Sequence, residues 1–276
     1  MQPPPAPSPP SNVRALVPAW LPAIVAAVVS PAFVVKVKDY DVWWHMATGR
    51  WIALHHALPT TDPFAYTMVG KPCHFMNGIA AGVLYAAYRA GGANGLVLLK
   101  PLFAMLILTL VGLCLRELRV SRGTVIALVA ATALLVHARY TVARPMIMGA
   151  AILAAGQLAV IRSHERRDRS HLFFLLALPL WPLVHGTALV GFALLGALLV
   201  AAVVARAPRR RVVEIAATLA ACLVLSAALP WWRGLYYTAA GLGGGATATS
   251  FTAEWQTGMQ ALGDRVGHWI VIAGAV

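Results

Sequence analysis

Asp39-Tyr40-Asp41-Val42-Trp43-Trp44-His45-Met46-Ala47-Thr48-Gly49-Arg50-Trp51 follows closely on an apolar run, Leu16–Val35, that is long enough to cross a bilayer. The stretch sets two carboxylates, three tryptophans, a histidine and an arginine at the water boundary of a greasy segment, where unpaired polar groups are costly. The expectation built on it is that the remaining helices bring other polar groups to the same face of the membrane.

Composition bounds the class. Of 276 residues 60% are hydrophobic and only 11% charged, which excludes a soluble domain and indicates an integral membrane protein. The net charge of +13 does not indicate nucleic-acid binding, because the arginines stand in short blocks between apolar runs, where the positive-inside bias accounts for them. Three cysteines, Cys73, Cys114 and Cys222, form neither a disulfide framework nor a zinc-ligand spacing. Residues 1–15, rich in proline, read as a disordered tail and lack the regions of a signal peptide, leaving 16–276 as a membrane domain.

Further apolar runs lie at Leu96–Leu115, Thr124–Val136, Met146–Ile161, Leu172–Val184, Leu189–Val204 and Val212–Leu229, and another begins near Gly267 and stops at Val276. Together they predict an all-α, polytopic transmembrane fold of about seven spans plus a truncated eighth. Three arginine blocks, at Arg116–Arg122, Arg162–Arg169 and Arg206–Arg211, fit a common cytoplasmic side with two crossings per interval and the N-terminus inside. Counting the short apolar piece Ile79–Arg89 as a span would break that parity. Residues 36–94 are therefore read as a large first external loop carrying interfacial helices, and 230–265 as a late external loop.

This topology sends Asp39, Asp41, His45, Asp62, His74, His137, Arg139, Arg144, His185, Arg233 and Glu254 to external helix ends or loops, with Lys100 one turn inside the same boundary. External cations run against the positive-inside bias, so Lys100, Arg139, Arg144 and Arg233 are candidates for holding an anion; snorkelling to headgroups is the plainer alternative. Carboxylates at i and i+2 can share a divalent cation, can leave one poised as a base, or can cap a helix. Trp43 and Trp44 are either belt anchors or a ligand platform. Asp62 reads as a local turn cap. Pro145 opens a helix and aims Arg144 outward, where a guanidinium suits phosphate oxygens. His185-Gly186 falls in a very short connection and serves as substrate contact or structural histidine. Gly241–Gly245 lacks the lysine of a phosphate loop, and Glu254-Trp255 closes the late loop.

The segments Asp39-Tyr40-Asp41-Val42-Trp43-Trp44-His45, Gly49-Arg50-Trp51-Ile52, Leu58-Pro59-Thr60-Thr61-Asp62-Pro63-Phe64 and Gly70-Lys71-Pro72 resemble a group of largely uncharacterised bacterial polytopic membrane proteins related to the GT-C glycosyltransferases. Ala143-Arg144-Pro145, His185-Gly186, Leu229-Pro230-Trp231-Trp232-Arg233-Gly234 and Ser250 to Trp255 follow in the same order as that group's later landmarks. The resemblance implies a periplasm-facing enzyme of the bacterial inner membrane that transfers a sugar from a polyprenyl-phosphate donor to an acceptor. It implies Asp39 and Asp41 as base and as metal or acceptor-orienting groups, with His45 beside them, and Arg139 and Arg144 as holders of the donor phosphate. Trp43, Trp44, Lys100, His185, Arg233 and Glu254 complete the expected substrate contacts, and a divalent metal ion on Asp39 and Asp41 is the one cofactor implied. Cys73-His74-Phe75-Met76-Asn77-Gly78 departs from the group's pattern by lacking an acid in the first loop. The competing readings are a noncatalytic membrane subunit or lipid-binding scaffold, a transporter of lipid-linked sugar, and a haem protein using His137 and His185.

Overall fold

The computed structural model describes residues 17–64, 66, 70, 76–140, 142–233 and 235, with the side chains of 138–140 outside that description. Within it the chain is all-helical: α1 (Leu21–Val29), α2 (Asp41–His55), α3 (Gly78–Glu117), α4 (Arg122–Tyr140), α5 (Pro145–Glu165), α6 (Phe173–Leu180), α7 (Ala188–Val204) and α8 (Arg209–Ala228). Short 3-10 turns at Ser30–Phe33, Ser170–Leu172 and Trp181–Leu183 extend α1 and flank α6.

Local chemistry explains the boundaries. Asp39 stands just outside α2 and its Oδ1 accepts the Asp41 N–H at 3.1 Å, satisfying one of the orphan donors of the first turn. Arg144 is extended and Pro145 follows at the first helical position of α5, where no N–H is needed. Inside α3, Gly91 and Gly92 leave helical geometry, and Gly92 adopts a φ of 57° with ψ of −143°, a conformation open only to glycine; the helix bends there. At the other end of the bundle α3, α5 and α7 each close on an arginine in left-handed conformation: Arg119, Arg167 and Arg206. After α7, Arg206 N–H reaches Val203 O at 3.0 Å and Ala207 N–H reaches Ala202 O at 2.9 Å, a paired closure that glycine usually makes. A cation beside the negative pole of each helix offsets part of the strain of a side chain at positive φ.

These closures create two unlike ends. At the first, Glu117 of α3, its side chain 5% exposed, takes Arg162 at 3.1 Å and Arg166 at 2.7 Å from α5, while Arg169 meets Glu214 of α8 at 3.0 Å. Arg116 Nε donates to Val17 O at 2.9 Å, bringing the start of the α1 segment to this end as well. At the second end, about 31 Å away along the 21 residues of α5, stand Arg144 and Pro145. Lys100, about 24 Å back along α3 from Arg116, is also near this second end: it is 1% exposed and its ammonium donates to the Val35 carbonyl where the Ser30–Phe33 turn finishes. His137 of α4 bonds the Ala32 carbonyl at 3.0 Å. Between the ends one core joins Val42, Leu84, Leu96 and Ile147, and another joins Phe174, Leu178, Trp181, Leu195 and Trp232. Apolar residues such as Leu134, Leu135 and Val204 remain exposed on the outer faces, as a lipid-facing surface requires.

The expected span count does not hold. Among the described residues three helices are long and apolar enough to cross a membrane, Gly78–Glu117, Pro145–Glu165 and Arg209–Ala228, and four apolar helices are shorter: Leu21–Phe33, Arg122–His137, Ser170–Leu183 and Ala188–Val204. The fold is thus a helical membrane-type bundle with three helices of spanning length, not about seven spans. The reason is that an apolar run is not a continuous helix: Pro31 introduces a tight turn after α1, and Pro179 and Pro182 divide the run at 172–184. Ile79–Tyr88, read as an interfacial helix inside loop 36–94, is the first arm of the same helix that contains Leu96–Leu115. The segment expected from Gly267 and the body of the late loop lie outside the described residues.

α2 packs on that first arm through Gly49, where an added Cβ would stand 2.2 Å from the Ala81 carbonyl oxygen and 2.8 Å from Tyr85 Cβ. Backbone cannot yield cheaply, so Gly49→Ala is expected to cost about 2 kcal/mol by forcing the helices apart. A lowered thermal midpoint in detergent would register it, and an unchanged midpoint would refute the close approach.

Candidate functional site

Four helix starts meet at the second end. Asp41 is the first residue of α2, Asn77 the N-cap of α3, Arg144 the N-cap of α5, and His185 lies two residues before Thr187, the N-cap of α7. Asp41, His45, Asn77, Arg144, Pro145, Met146 and His185 line one hollow of about 160 Å³. His45, four residues after Asp41, lies on the same face of α2 and is 8% exposed.

Arg144 organises the charge. Its Nη2 donates to Asp39 Oδ1 at 2.9 Å and stands 2.8 Å from Asp41 Oδ2, while its Nε donates to Asp39 Oδ2. One guanidinium therefore joins two carboxylates from a position 105 residues away. Asp39 is sealed by the pairing, with its side chain 6% exposed, whereas Asp41 is 54% exposed and open to the hollow. Burial raises the pKa of Asp39, but the Arg144 hydrogen bonds, the Asp41 N–H and the Arg144 charge outweigh it and hold the carboxyl below its ordinary range.

Burial disfavours the charged form of both histidines. Burial pushes His45 down to about 4, against the attraction of Asp41 and Asp39, and burial likewise lowers His185. His185 Nδ1 accepts the Thr187 N–H at 3.2 Å, which places the ring proton on Nε2 and makes that nitrogen a donor. Gly149 of α5 makes room for this arrangement, since a Cβ there would stand 2.6 Å from His185 Cβ. Asn77 was singled out in the sequence only as part of a departure from a family pattern, yet it lines the hollow. It holds φ 67° at a helix start, its N–H reaches Pro182 O at 3.1 Å, and its Oδ1 is buried with no hydrogen-bond partner among the described residues. The Asn77-Gly78 pair is the signal that marks it, because asparagine tolerates the left-handed region.

The depressed histidine pKa values set an acid limit. A histidine whose folded pKa lies below its unfolded value of 6.5 contributes stability that is full above 6.5 and is lost as pH falls toward the folded pKa. For His45 the window runs from 6.5 down to about 4. Stability is expected to fall by about 3 kcal/mol across it, and His45→Gln to flatten that slope in unfolding curves taken between those limits. A wild-type protein equally stable at both would contradict the buried neutral ring.

Comparison with family models, with curated proteins and with solved structures finds no match. What the site can do is therefore argued from its own groups. Asp39, Asp41, His45, Arg144 and His185 lie together at the second end. Trp43 and Trp44 are about half exposed on the outer side of α2, Trp43 edge-on to Tyr88 with centroids 6.3 Å apart and Trp44 with its centroid 5.1 Å from the His45 ring. Lys100 bonds backbone instead of lining the hollow, and His137 does not line it either. Arg233 is exposed beyond Trp231 and Trp232, whose indoles donate to the Pro179 carbonyl at 2.6 and 3.3 Å. Asp62 caps its own turn by accepting the Phe64 N–H at 2.8 Å. The side chain of Arg139, His74, and Glu254 with the body of the late loop lie outside the described residues.

A divalent ion on Asp39 and Asp41 does not fit these residues. The Arg144 guanidinium bridges the two carboxylates and takes the place that a shared ion would occupy.

Proposed function

We propose that the protein transfers a sugar from a polyprenyl-phosphate donor to a hydroxyl acceptor at the membrane face where α2, α3, α5 and α7 begin. One observation carries this reading: groups spread from Asp41 to His185 converge on a single hollow, at the end of the bundle opposite its arginine-bearing end. By the positive-inside bias that face is extracytoplasmic, in a bacterial inner membrane with the N-terminus inside. The GT-C resemblance of the Asp39 segment points the same way.

Asp41 is the base, since it alone of the two carboxylates faces the hollow. It takes the acceptor proton as the acceptor oxygen bonds the anomeric carbon and the carbon–oxygen bond to the polyprenyl phosphate breaks. A protonated Asp41 loosens its hold on Arg144, and the Nη2 N–H that faced it is then available to the departing phosphate oxygen while the other stays on Asp39. His185 Nε2–H and Asn77 Oδ1 supply a donor and an acceptor for sugar hydroxyls. At about 160 Å³ the hollow admits the reacting groups while the lipid chain and the bulk of the acceptor stay outside. The test is release of polyprenyl phosphate from labelled polyprenyl-phosphate sugars by protein reconstituted in liposomes, compared with Asp41→Asn.

A noncatalytic lipid-binding scaffold is the second reading, and the saturation of Arg144 by both carboxylates favours it. It predicts retained polyprenyl phosphate without turnover of any donor.

A further inference from the structure

We infer that the arginine-bearing end carries a binding site for the phosphate headgroup of an anionic phospholipid, set between α5, α7 and α8 and separate from the hollow at the other end. A second hollow, of about 120 Å³, is lined at its mouth by His164, Arg167 and Arg211 and at its floor by Leu198, Ala202 and Ile215. A cationic mouth over an apolar floor matches a lipid headgroup with its chains, not a freely soluble anion.

The charges around it are already apportioned. Glu117 is taken by Arg162 and Arg166, and Glu214 by Arg169 and Arg210. Arg211 is fixed, its Nη2 donating to the Ser163 carbonyl at 2.8 Å, and Ser163 Oγ is in turn 3.0 Å from His171 Nδ1. Arg167 has no ion pair among the described residues, and its left-handed backbone, φ 56°, sets it at the mouth just past the end of α5. The positive-inside bias explains why arginines gather at this end. It does not require a hollow beneath them, nor one arginine held rigid beside another left open. Val203, Val204 and Val213 are exposed nearby on α7 and α8, so the apolar floor continues into surface that acyl chains can cover.

The experiment purifies the full chain from membranes in mild detergent, exposes it to equal phosphatidylglycerol and phosphatidylcholine, and weighs retained lipid by native mass spectrometry. Wild type is expected to retain phosphatidylglycerol about fivefold over phosphatidylcholine, the factor one basic group is worth at a charged leaflet, and Arg167→Gln to lose the preference. Arg119→Gln, which alters an arginine elsewhere on the same end, is expected to keep it. Equal retention of both lipids by wild type overturns the proposal, as does equal loss in the two variants, which would mean a diffuse field. Inorganic phosphate raising the unfolding midpoint as much as phosphatidylglycerol does would overturn the assignment to lipid.

Discussion

Arg144→Gln is expected to lower the stability of the folded protein by about 3 kcal/mol, the cost of leaving a buried carboxylate without its counter-charge. Asp39 bears most of this loss, because its side chain is 6% exposed and both of its oxygens face the guanidinium. Asp41, half open to water, is rehydrated at little cost. The direction of the pH dependence separates the pair from ordinary packing. With Arg144 present the folded pKa of Asp39 is depressed, so its contribution exists above the unfolded value of 3.8 and disappears as pH falls through the folded one. Without Arg144 burial is opposed chiefly by the Asp41 N–H, the folded pKa rises, and the cost of the missing guanidinium shrinks as acid protonates Asp39. Unfolding midpoints of the variant and wild type should therefore approach each other at low pH. Adding Asp39→Asn to Arg144→Gln should recover about 1–2 kcal/mol at neutral pH. Strict additivity of the two changes would show that the pair carries no coupling.

Asp41→Asn is expected to reduce donor turnover by about 10²–10⁴-fold, the usual contribution of a positioned base, with little change in stability. The amide keeps the shape and can still receive a hydrogen bond from Arg144, but it cannot take a proton. The loss belongs in kcat with KM nearly unchanged, since the carboxylate acts on the proton and not on the bulk of either substrate. Asp39→Asn should behave differently, costing stability first and turnover only through the displacement of Arg144. Turnover by Asp41→Asn at the wild-type rate would remove the proposed chemistry and leave the scaffold reading.

The convergence of Asp39, Asp41, His45, Arg144 and His185 was legible because each interrupts or borders an apolar run, where a polar group has few places to go. The pairing inside the cluster was not. Two carboxylates at i and i+2 read equally as a metal pair, a base or a cap, and only the position of Arg144 decides among them. Lys100 misled for a related reason: a lysine in an apolar run suggests an anion, but the backbone carbonyl of Val35, which lies past the end of the Ser30–Phe33 turn and outside helical bonding, is an equally good acceptor. Span counting failed where prolines and paired glycines divide or bend the runs, as Pro179, Pro182, Gly91 and Gly92 do. Asn77 escaped notice because its role depends on a backbone angle and on burial, neither of which residue type alone reveals.

The bend at Gly91 and Gly92 mounts the two sides of the hollow on different arms. Asp41, His45 and Asn77 ride on α2 and the arm of α3 before the glycines, while Arg144 and His185 belong to elements beyond them. The Arg144 clasp on Asp39 and Asp41 and the bond from Asn77 to Pro182 tie arm to arm at the rim, above the core in which Val42 and Leu84 meet Leu96 and Ile147. The mouth is thus braced twice, by charge at its rim and by apolar packing beneath, so that breaking the Arg144 clasp alone leaves the two arms joined through their common core.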